Sequence, residues 1–283
     1  MEISDQPIAV GRTAEIYAWG EGRILKLLRP GFPRTLIQQE EAVTRVICQA
    51  GIAAPKIYAV TEVNERPGIV YERIDGPSLL GMMERSPLRL REHAALLARL
   101  HASVHAHTYS PAPQDAPRQK QILAEQIQAA AVLPAAARRA VLDLLAGLPD
   151  GDTLCHNDFH PLNVLIGSSG AVIIDWESAS LGSPCADAAR TILTMALGRP
   201  AEGFPNPWVR TISLWYLRAF CAAYLASYRA CTHNPLADLR AWQTVQAAAK
   251  VQWEAPANQG LWLEVIERGL RHLHPGKGMS KQV

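Results

Sequence analysis

Short, mostly apolar runs separated by turns fill the first quarter of the chain, a pattern typical of β-strands. Glycine-containing turns separate the first three stretches, and Pro30 ends the series. Apolar residues at helical spacing then predict one helix over Thr35–Ala50, which Gly51 ends. The predicted strands are Ile8–Val10, Ile16–Trp19, Arg23–Leu28, Lys56–Val63 and Gly68–Ile74. Together they predict an antiparallel sheet that carries one main helix.

The remainder of the chain is dominated by the periodicity of amphipathic helices. Gly76 and Pro77 interrupt both periodicities, so we expect a domain boundary within Ile74–Leu79. The boundary divides the chain into an N-terminal lobe, residues 1–75, and a larger, mostly helical lobe, residues 76–283. Predicted helices cover residues 89–106, 119–132, 135–148, 185–197, 207–230, 236–252 and 258–273. The fold class is therefore α+β.

One segment, DTLCHNDFHPLNVLIGSSGAVIIDWE at residues 152–177, departs from the helical pattern. Its apolar runs NVLI and VII flank a Gly/Ser turn, which predicts a tight hairpin. Because the two strands are antiparallel, Asn163 at the start of the first and Asp175 after the second meet at the open end of the hairpin. Asp158 lies in the loop that leads into it.

Composition and charge narrow the function classes. The 283 residues are 48% hydrophobic and 19% charged, with a net charge of +2, so no global field favours a nucleic-acid or membrane partner. Five scattered cysteines without a CxxC pair favour reduced thiols in a cytoplasmic protein, and the first residues lack a signal peptide's apolar core. The apolar run Ile212–Cys231 contains two arginines, which favours a buried helix over a membrane span.

Three polar residues of the segment 152–177 suit magnesium-dependent phosphoryl transfer. Asp158 is the candidate catalytic base, because a carboxylate must orient the attacking hydroxyl and accept its proton. Asn163 and Asp175 offer the amide and carboxylate oxygens that Mg²⁺ prefers. Each residue alone is typical of a helix cap or a hairpin end. The whole pattern, H-x-D-x-x-x-x-N followed by I-D-W-E, favours the catalytic interpretation.

Lys26 is the next candidate, because it lies within an otherwise apolar strand, where an unpaired charge is costly. A nucleotide phosphate and a helix carboxylate would compensate its charge. Glu40 is favoured over Glu41 as that carboxylate, because it shares a helix face with Ile47. The alternative is a lysine that snorkels from a sheet edge. The turn at Gly11 could lay backbone N–H groups over phosphates, but a single glycine is also typical of an ordinary hairpin.

Two groups of histidines raise the alternative of a metal site. His156 and His160 have the spacing of a zinc dyad but lack the glutamate of the HExxH pattern, which disfavours zinc. His101, His105 and His107 also have ligand-like spacing. Neither a cysteine nor a carboxylate lies near these three in the sequence, so we interpret them as surface or core histidines.

On these residues the chain resembles the aminoglycoside phosphotransferase and choline kinase-like family, whose members are relatives of the protein kinases. The resemblance runs from Val10 to about Leu197 and is strongest over CHNDFHPLNVLI and IIDWESASLGSPCADAA. The family has a tryptophan or similar residue where Trp176 stands. The resemblance implies a bilobal, protein-kinase-like fold with ATP in the cleft. The chain departs from the family in its glycine-poor nucleotide loop.

The resemblance also implies a role for each candidate. Asp158 would be the catalytic base, and Asn163 and Asp175 would hold Mg²⁺. Lys26 would contact the α- and β-phosphates and pair with Glu40.

Two further roles follow from the resemblance. The backbone of Glu72–Ile74 looks like the hinge that would hydrogen-bond adenine. Asp187 looks like a later family aspartate that would brace the catalytic loop.

The predicted reaction moves the γ-phosphate of ATP to a hydroxyl of a small molecule, because no APE-type activation segment follows Asp175. An aminoglycoside, choline or ethanolamine, a macrolide or another metabolite alcohol all remain open as acceptors. Lysine and arginine outnumber the acids from residue 176 onward, which weighs against a polycation unless Glu177, Glu202 or Glu254 faces it. The rival interpretation, a catalytically silent nucleotide-binding regulatory module, is disfavoured because every candidate residue is present.

Overall fold

The computed structural model describes residues 6–108, 116–197, 206–234 and 236–273, and these form two compact units. The first unit contains the described residues of Met1–Arg89 and Pro161–Ala179. The second contains those of Leu90–His160 and Ser180–Val283. The predicted division into residues 1–75 and 76–283 stays a prediction, and Glu202 lies outside the described residues.

The first unit is built on an antiparallel sheet of five strands in the order β1-β2-β3-β5-β4. The strands are β1 (Ala9–Val10), β2 (Ala14–Ala18), β3 (Arg23–Leu28), β4 (Ile57–Val63) and β5 (Arg66–Glu72). In β3, Lys26 lies between Ile16 of β2 and Ile69 of β5. Because β3 is the central strand, Lys26 is not an edge residue, and the snorkelling alternative does not apply.

Both faces of this sheet are packed, because side chains of β3 alternate between them. Leu25 and Leu27 pack with Val70 on one face. Leu28 packs on the other face with Ile69 and with Ile37, a residue of helix α1 (Thr35–Gln49). By the same alternation Lys26 shares the face of Leu28, towards α1.

Helix α1 begins and ends within one residue of its prediction, but its buried stripe is more polar than expected. The buried positions are Ile37, Glu40, Thr44 and Ile47, at helical spacing. Val46, an apolar residue of the same helix, is 45% exposed. A carboxylate therefore occupies a core position of the helix, and such a group requires a partner.

The predicted hairpin is present as β7 (Val164–Gly167) and β8 (Gly170–Ile173), with Val164 opposite Ile173. A short helix that the sequence did not predict, α2 (Leu79–Arg85), precedes it in the first unit and is capped by the Ser78 side chain. The predicted boundary lies against β7, because Ile166 N donates to Pro77 O over 2.9 Å. A Cβ on Gly76 would come within 1.9 Å of Ile166 O, so only glycine fits there.

The second unit is mostly helical, as predicted. Its long helices are α3 (Leu90–His105), α4 (Gln119–Ala129), α5 (Ala135–Gly147), α6 (Pro184–Leu197), α7 (Pro207–Thr232), α8 (Leu239–Lys250) and α9 (Pro256–Leu273). Two three-residue strands missed at the level of sequence, β6 (Thr153–Cys155) and β9 (Ser180–Gly182), pair with each other. The antiparallel sheet and the helices confirm the α+β class. No described helix is long and apolar enough to cross a membrane.

Candidate active site

At the open end of the hairpin, pairing of the two strands brings the backbone of Asn163 close to that of Asp175. Ile174 N donates to Asn163 O over 3.0 Å, which places Asn163 beside the residue that precedes Asp175. Asp175 has a left-handed backbone with φ 64°, a conformation that is unfavourable for a residue with a side chain. Trp176 is buried and its Nε1 donates to Ile173 O over 3.0 Å, which anchors the turn around Asp175. Backbone strain held by such an anchor is typical of functional sites.

Lys26 is the centre of a cluster of carboxylates in the first unit, which we call the lysine cluster. Its Nζ lies 2.9 and 2.8 Å from the two carboxylate oxygens of Glu40 and 2.8 Å from Asp175 Oδ1. Glu177 Oε2 lies 3.5 Å from the same nitrogen. The hydroxyl of Tyr71 also donates to Glu40 Oε1 over 3.0 Å. The sheet, α1 and the end of the hairpin each supply a charged member.

The electrostatics of the lysine cluster follow from this geometry. Burial by itself would lower the pKa of Lys26, but Asp175, Glu40 and Glu177 raise that pKa well above its usual value. Burial raises the pKa of Glu40, and Asp175 adds to that effect while Lys26 opposes it. Lys26 is therefore firmly charged, and its three neighbouring carboxylates outnumber it.

The two glutamates that the sequence offered to Lys26 have different partners. Glu40 is 2% exposed and binds Lys26. Glu41 points away from that partner and forms an ion pair with Arg45, one helical turn along α1, at 2.9 Å. A one-residue step on a helix rotates a side chain by about 100°, which is enough to separate a core position from a half-exposed one.

Glu177 lies beside Lys26 and the turn between β1 and β2. We expected it as one of the acids that could face a cationic acceptor. Its Oε2 instead accepts from Thr13 Oγ1 over 2.9 Å and lies near Lys26. Thr13 belongs to the turn between β1 and β2, so Glu177 joins that turn to the lysine cluster.

Some of the backbone N–H groups predicted to bind nucleotide form hydrogen bonds within the protein. Gly11 N donates to Ala14 O over 2.8 Å, which closes the β1–β2 turn. Glu72 N donates to Lys56 O over 2.8 Å. The N–H groups of Gly11 and Glu72 therefore already donate hydrogen bonds within the protein. A hydrogen bond from the predicted hinge to adenine would then use Ile74 N–H or the carbonyl groups of the hinge.

Asp158 is the centre of a second cluster, in the helical unit, which we call the aspartate cluster. His160 Nε2 lies 3.5 Å from Asp158 Oδ2. The other carboxylate oxygen, Oδ1, lies 4.0 Å from Arg190 Nε and 3.9 Å from Lys250 Nζ. Lys250 also lies 3.7 Å from Glu254 Oε1. Periodicity and motifs did not point to Arg190 or Lys250, because each lies on a distant helix.

The charge of Asp158 is stabilised by this environment. Burial by itself would raise the pKa of the carboxyl group, but a hydrogen bond from His160 and the charges of Arg190 and Lys250 lower the pKa of Asp158. Asp158 is consequently a carboxylate throughout the neutral range, ready to accept a hydrogen bond.

Asp187 holds the loop that carries Asp158. Its carboxylate is fully buried and accepts from the backbone N–H groups of His156 over 2.6 Å and Asn157 over 2.9 Å. His101 Nε2 and His105 Nε2 lie 3.1 and 3.2 Å from Asp187 Oδ2. Burial raises and His101 lowers the pKa of Asp187, and the net result is a pKa well below its usual value.

The histidines of α3 therefore have a carboxylate neighbour that their local sequence did not reveal. His105 and Asp187 are 82 residues apart in the chain. The opposite ring nitrogens are also occupied, since His101 Nδ1 lies 2.7 Å from Tyr224 OH and His105 Nδ1 lies 2.6 Å from Tyr228 OH. Both rings are buried, as expected for core histidines, whereas His107 is half-buried.

Comparison with known proteins identifies the family of the chain. The sequence profile described as the phosphotransferase enzyme family matches residues 5–231. A search among curated proteins found no match to the chain.

Solved structures share the fold. A thermostable mutant of aminoglycoside phosphotransferase APH(4)-Ia is 16% identical, with a TM-score of 0.67 over 94% of this chain and 95% of that one. Amicoumacin kinase hAmiN, in complex with AMP-PNP, Ca²⁺ and Ami, is 14% identical, with a TM-score of 0.65 over 95% and 88%. Choline kinase LicA from Streptococcus pneumoniae is 16% identical, with a TM-score of 0.61 over 96% and 94%.

These likenesses confirm the predicted protein-kinase-like fold. The family profile spans most of the chain, including the sheet, the lysine cluster and the loop of Asp158. The chain belongs to the phosphotransferase enzyme family.

Proposed function

We propose that this protein is an ATP- and magnesium-dependent kinase that transfers the γ-phosphate to a hydroxyl group of a small molecule in the cytoplasm. The observation that carries the proposal is the lysine cluster, in which one buried cation, Lys26, is surrounded by three carboxylates. Such a lysine binds phosphate oxygens in phosphoryl-transfer enzymes, and a helix glutamate keeps it in position. The absence of disulfides among the five cysteines fits a reducing compartment.

The lysine cluster fits a divalent cation. One positive and three negative side chains give a formal charge of −2, with Glu40, Asp175 and Glu177 as the acids. The carboxylate of Asp175 is 45% exposed, and with the amide of Asn163 it would form a set of hard oxygen donors that suits Mg²⁺. When bound, Mg²⁺ neutralises charge on the nucleotide phosphates. Asn163 and Asp175 would hold it.

Nucleotide binding is assigned to the first unit. Lys26 would bind the α- and β-phosphates, with Glu40 as its fixed partner. The turn that begins at Gly11 would cover the phosphates through N–H groups other than that of Gly11, which is already donated. Adenine would be bound by the backbone of Glu72–Ile74, through Ile74 N–H and the carbonyl groups.

Asp158 would orient the acceptor hydroxyl. Its lowered pKa makes it a weak base, so we assign it first to alignment of the hydroxyl and only second to uptake of the proton as the oxygen–phosphorus bond forms. Lys26 then stabilises charge on the phosphates while Asp158 positions the nucleophile. Asp187 serves as a positioning residue, because it binds the two backbone N–H groups that precede Asp158.

The complexes of similar structures support nucleotide and small-molecule substrates. Amicoumacin kinase was solved with AMP-PNP, Ca²⁺ and Ami, and an aminoglycoside phosphotransferase of lower similarity with ATP and streptomycin. We carry over from them only the class of reaction, ATP-dependent phosphorylation of a small molecule.

Release of ADP from Mg·ATP tests the proposal directly. We expect release to depend on magnesium and on an acceptor from a panel that contains aminoglycosides, macrolides, choline, ethanolamine, sugars and hydroxy acids. The matched control is the Asp158→Asn protein. Tight binding of Mg·ATP without turnover across the panel would overturn the proposal in favour of a silent nucleotide-binding module.

A further inference from the structure

The aspartate cluster places two cations, Arg190 and Lys250, beside the same carboxylate oxygen of Asp158. We propose that Arg190 and Lys250 form an anion subsite beside Asp158, and that the acceptor carries a carboxylate or phosphate group near its reacting hydroxyl. The inference rests on the proposed function, because it takes Asp158 as the residue that binds the hydroxyl.

Two different helices supply the cations of the subsite. Arg190 lies on α6 and Lys250 is the last residue of α8, yet both reach the same oxygen, Asp158 Oδ1, at 4.0 and 3.9 Å. Their side chains are only 16% and 20% exposed. These distances are those of an ion pair and exceed the length of a hydrogen bond. The two cations therefore flank Asp158 Oδ1 at ion-pair distance without a direct hydrogen bond to that oxygen.

This geometry places both cations near the reacting end of an acceptor. A hydroxyl group that donates to Asp158 lies about 3 Å from the carboxylate oxygen. Arg190 and Lys250 are then within about 7 Å of that hydroxyl. A carboxylate or phosphate two or three bonds from the hydroxyl spans this distance, and a guanidinium binds either group through paired hydrogen bonds.

The same charges disfavour a cationic acceptor. An ammonium group next to the hydroxyl would approach Arg190 and Lys250 in a partly buried place, where like charges interact strongly. Asp158 and Glu254, which lies 3.7 Å from Lys250, offset part of this repulsion. The excess of lysine and arginine over acids from residue 176 onward acts in the same direction. Choline and polycationic aminoglycosides are therefore poor candidates.

A matched series of acceptors tests the charge preference. We propose to measure ADP release with D-glycerate, D-gluconate and glycerol 3-phosphate, with their uncharged counterparts glycerol and D-sorbitol, and with ethanolamine and choline. The subsite predicts that kcat/KM for the best anionic compound exceeds that for its uncharged counterpart by at least about tenfold. A neutral or cationic compound as the best acceptor would overturn the inference.

Variants separate acceptor binding from phosphoryl transfer. Lys250→Gln and Arg190→Gln should each raise the KM for the anionic acceptor at least about tenfold and leave the KM for ATP within about twofold. Arg240→Gln, an exposed cation on the same helix as Lys250, is the matched control and should change neither value. An equal loss of kcat with every acceptor, and also with water as acceptor, would assign both cations to the transferred phosphate and overturn the subsite.

Calorimetry distinguishes failure of the subsite from failure of the proposed function. If no compound releases ADP, the proposed function fails, and binding of glycerol 3-phosphate still tests the subsite. The wild-type protein should bind glycerol 3-phosphate and not glycerol, and Lys250→Gln should weaken that binding at least about tenfold. Equal binding by the wild-type and Lys250→Gln proteins, or no binding by the wild-type protein, would overturn the subsite independently of turnover.

Discussion

The lysine cluster and the aspartate cluster are opposite in charge arrangement. The first surrounds one cation, Lys26, with three carboxylates. The second surrounds one carboxylate, Asp158, with Arg190, Lys250 and a histidine. A surplus of negative charge suits a divalent cation, whereas two cations beside one carboxylate oxygen suit an anionic group.

Under the proposed function, this contrast would let one chain provide both requirements of phosphoryl transfer. The lysine cluster belongs to the sheet-based unit, and it would supply a positive lysine together with oxygen donors for a metal. The aspartate cluster belongs to the helical unit and supplies an oriented carboxylate with positive neighbours. Each cluster has a central group whose pKa is moved towards its charged form, upward for Lys26 and downward for Asp158. The surrounding charges therefore fix the ionisation state of both.

The largest expected effect follows from neutralising the centre of the aspartate cluster. Asp158→Asn keeps the shape of the side chain but removes its charge and basicity, so we expect kcat to fall about 10²–10⁴-fold. Affinity for ATP should stay within about twofold, because Asp158 is assigned to the acceptor. Steady-state kinetics with both substrates varied check the prediction. Unchanged turnover would remove Asp158 from the reaction.

A second large effect is expected at the metal-binding end of the lysine cluster. Asp175→Ala removes a carboxylate assigned to Mg²⁺ and should weaken magnesium-dependent binding of ATP at least about 100-fold, or about 3 kcal/mol. Asp143→Ala, on α5 of the other unit, is the control and should leave binding unchanged. Calorimetric titrations with and without magnesium measure the difference. Identical titrations for Asp175→Ala and wild type would contradict the assignment.

Removal of the central cation tests whether the lysine cluster depends on it. Lys26→Met leaves buried or partly buried carboxylates without their cation, which should lower the free energy of unfolding by about 3–5 kcal/mol. Arg45→Met removes the cation from the half-exposed pair with Glu41 and should cost about 0.5 kcal/mol or less. Urea unfolding of both variants gives the comparison. A similar decrease in the free energy of unfolding for both variants would show that burial does not make the Lys26 pair stronger than the Arg45–Glu41 pair.

Acid should destabilise the part of the helical unit that positions Asp158. Burial, with a further contribution from His105, lowers the pKa of His101 to about 4, against an ordinary value of 6.5. Above pH 6.5 the imidazole is neutral in both folded and unfolded chains, so it contributes no pH dependence. As pH falls from 6.5 to 4 only the unfolded chain takes up the proton, and stability should decrease by about 3 kcal/mol.

Unfolding measured between pH 7 and pH 4 checks this effect, together with an NMR titration of the His101 ring. The ring should remain neutral until the pH approaches 4. His101→Asn should show a shallower loss of stability over that interval. A ring that titrates near pH 6.5 in the folded protein would contradict the prediction.

The sequence predicted those features that depend on local patterns. The hairpin that carries Asn163 and Asp175 followed from two apolar runs and a Gly/Ser turn, because a tight turn leaves little choice of pairing. The pairing of Lys26 with Glu40 followed from an unusual lysine in an apolar strand and from the helical face of Glu40. In the hairpin the tight turn fixed which residues pair, and in helix α1 the helical periodicity indicated which glutamate faces Lys26.

Features that depend on the packing of distant helices were not predictable in this way. Arg190 and Lys250 resemble ordinary surface residues of amphipathic helices, and only the packed helices bring them to Asp158. The carboxylate next to His101 and His105 comes from Asp187, far along the chain. Helical periodicity defines which face is buried but not which residues it meets. The three-residue strands β6 and β9 were missed because so short a segment has no periodicity.

The central claim is that the protein transfers a phosphoryl group from ATP to an acceptor hydroxyl, and ³¹P NMR of a reaction mixture tests it most directly. Wild-type protein, Mg·ATP and D-glycerate should convert the γ-phosphate signal of ATP into a phosphomonoester signal, with ADP as the other product. The signal should be absent without magnesium and in Asp158→Asn. If glycerol 3-phosphate, D-gluconate and the neutral and cationic acceptors also give no phosphoester, or only inorganic phosphate, the account is contradicted.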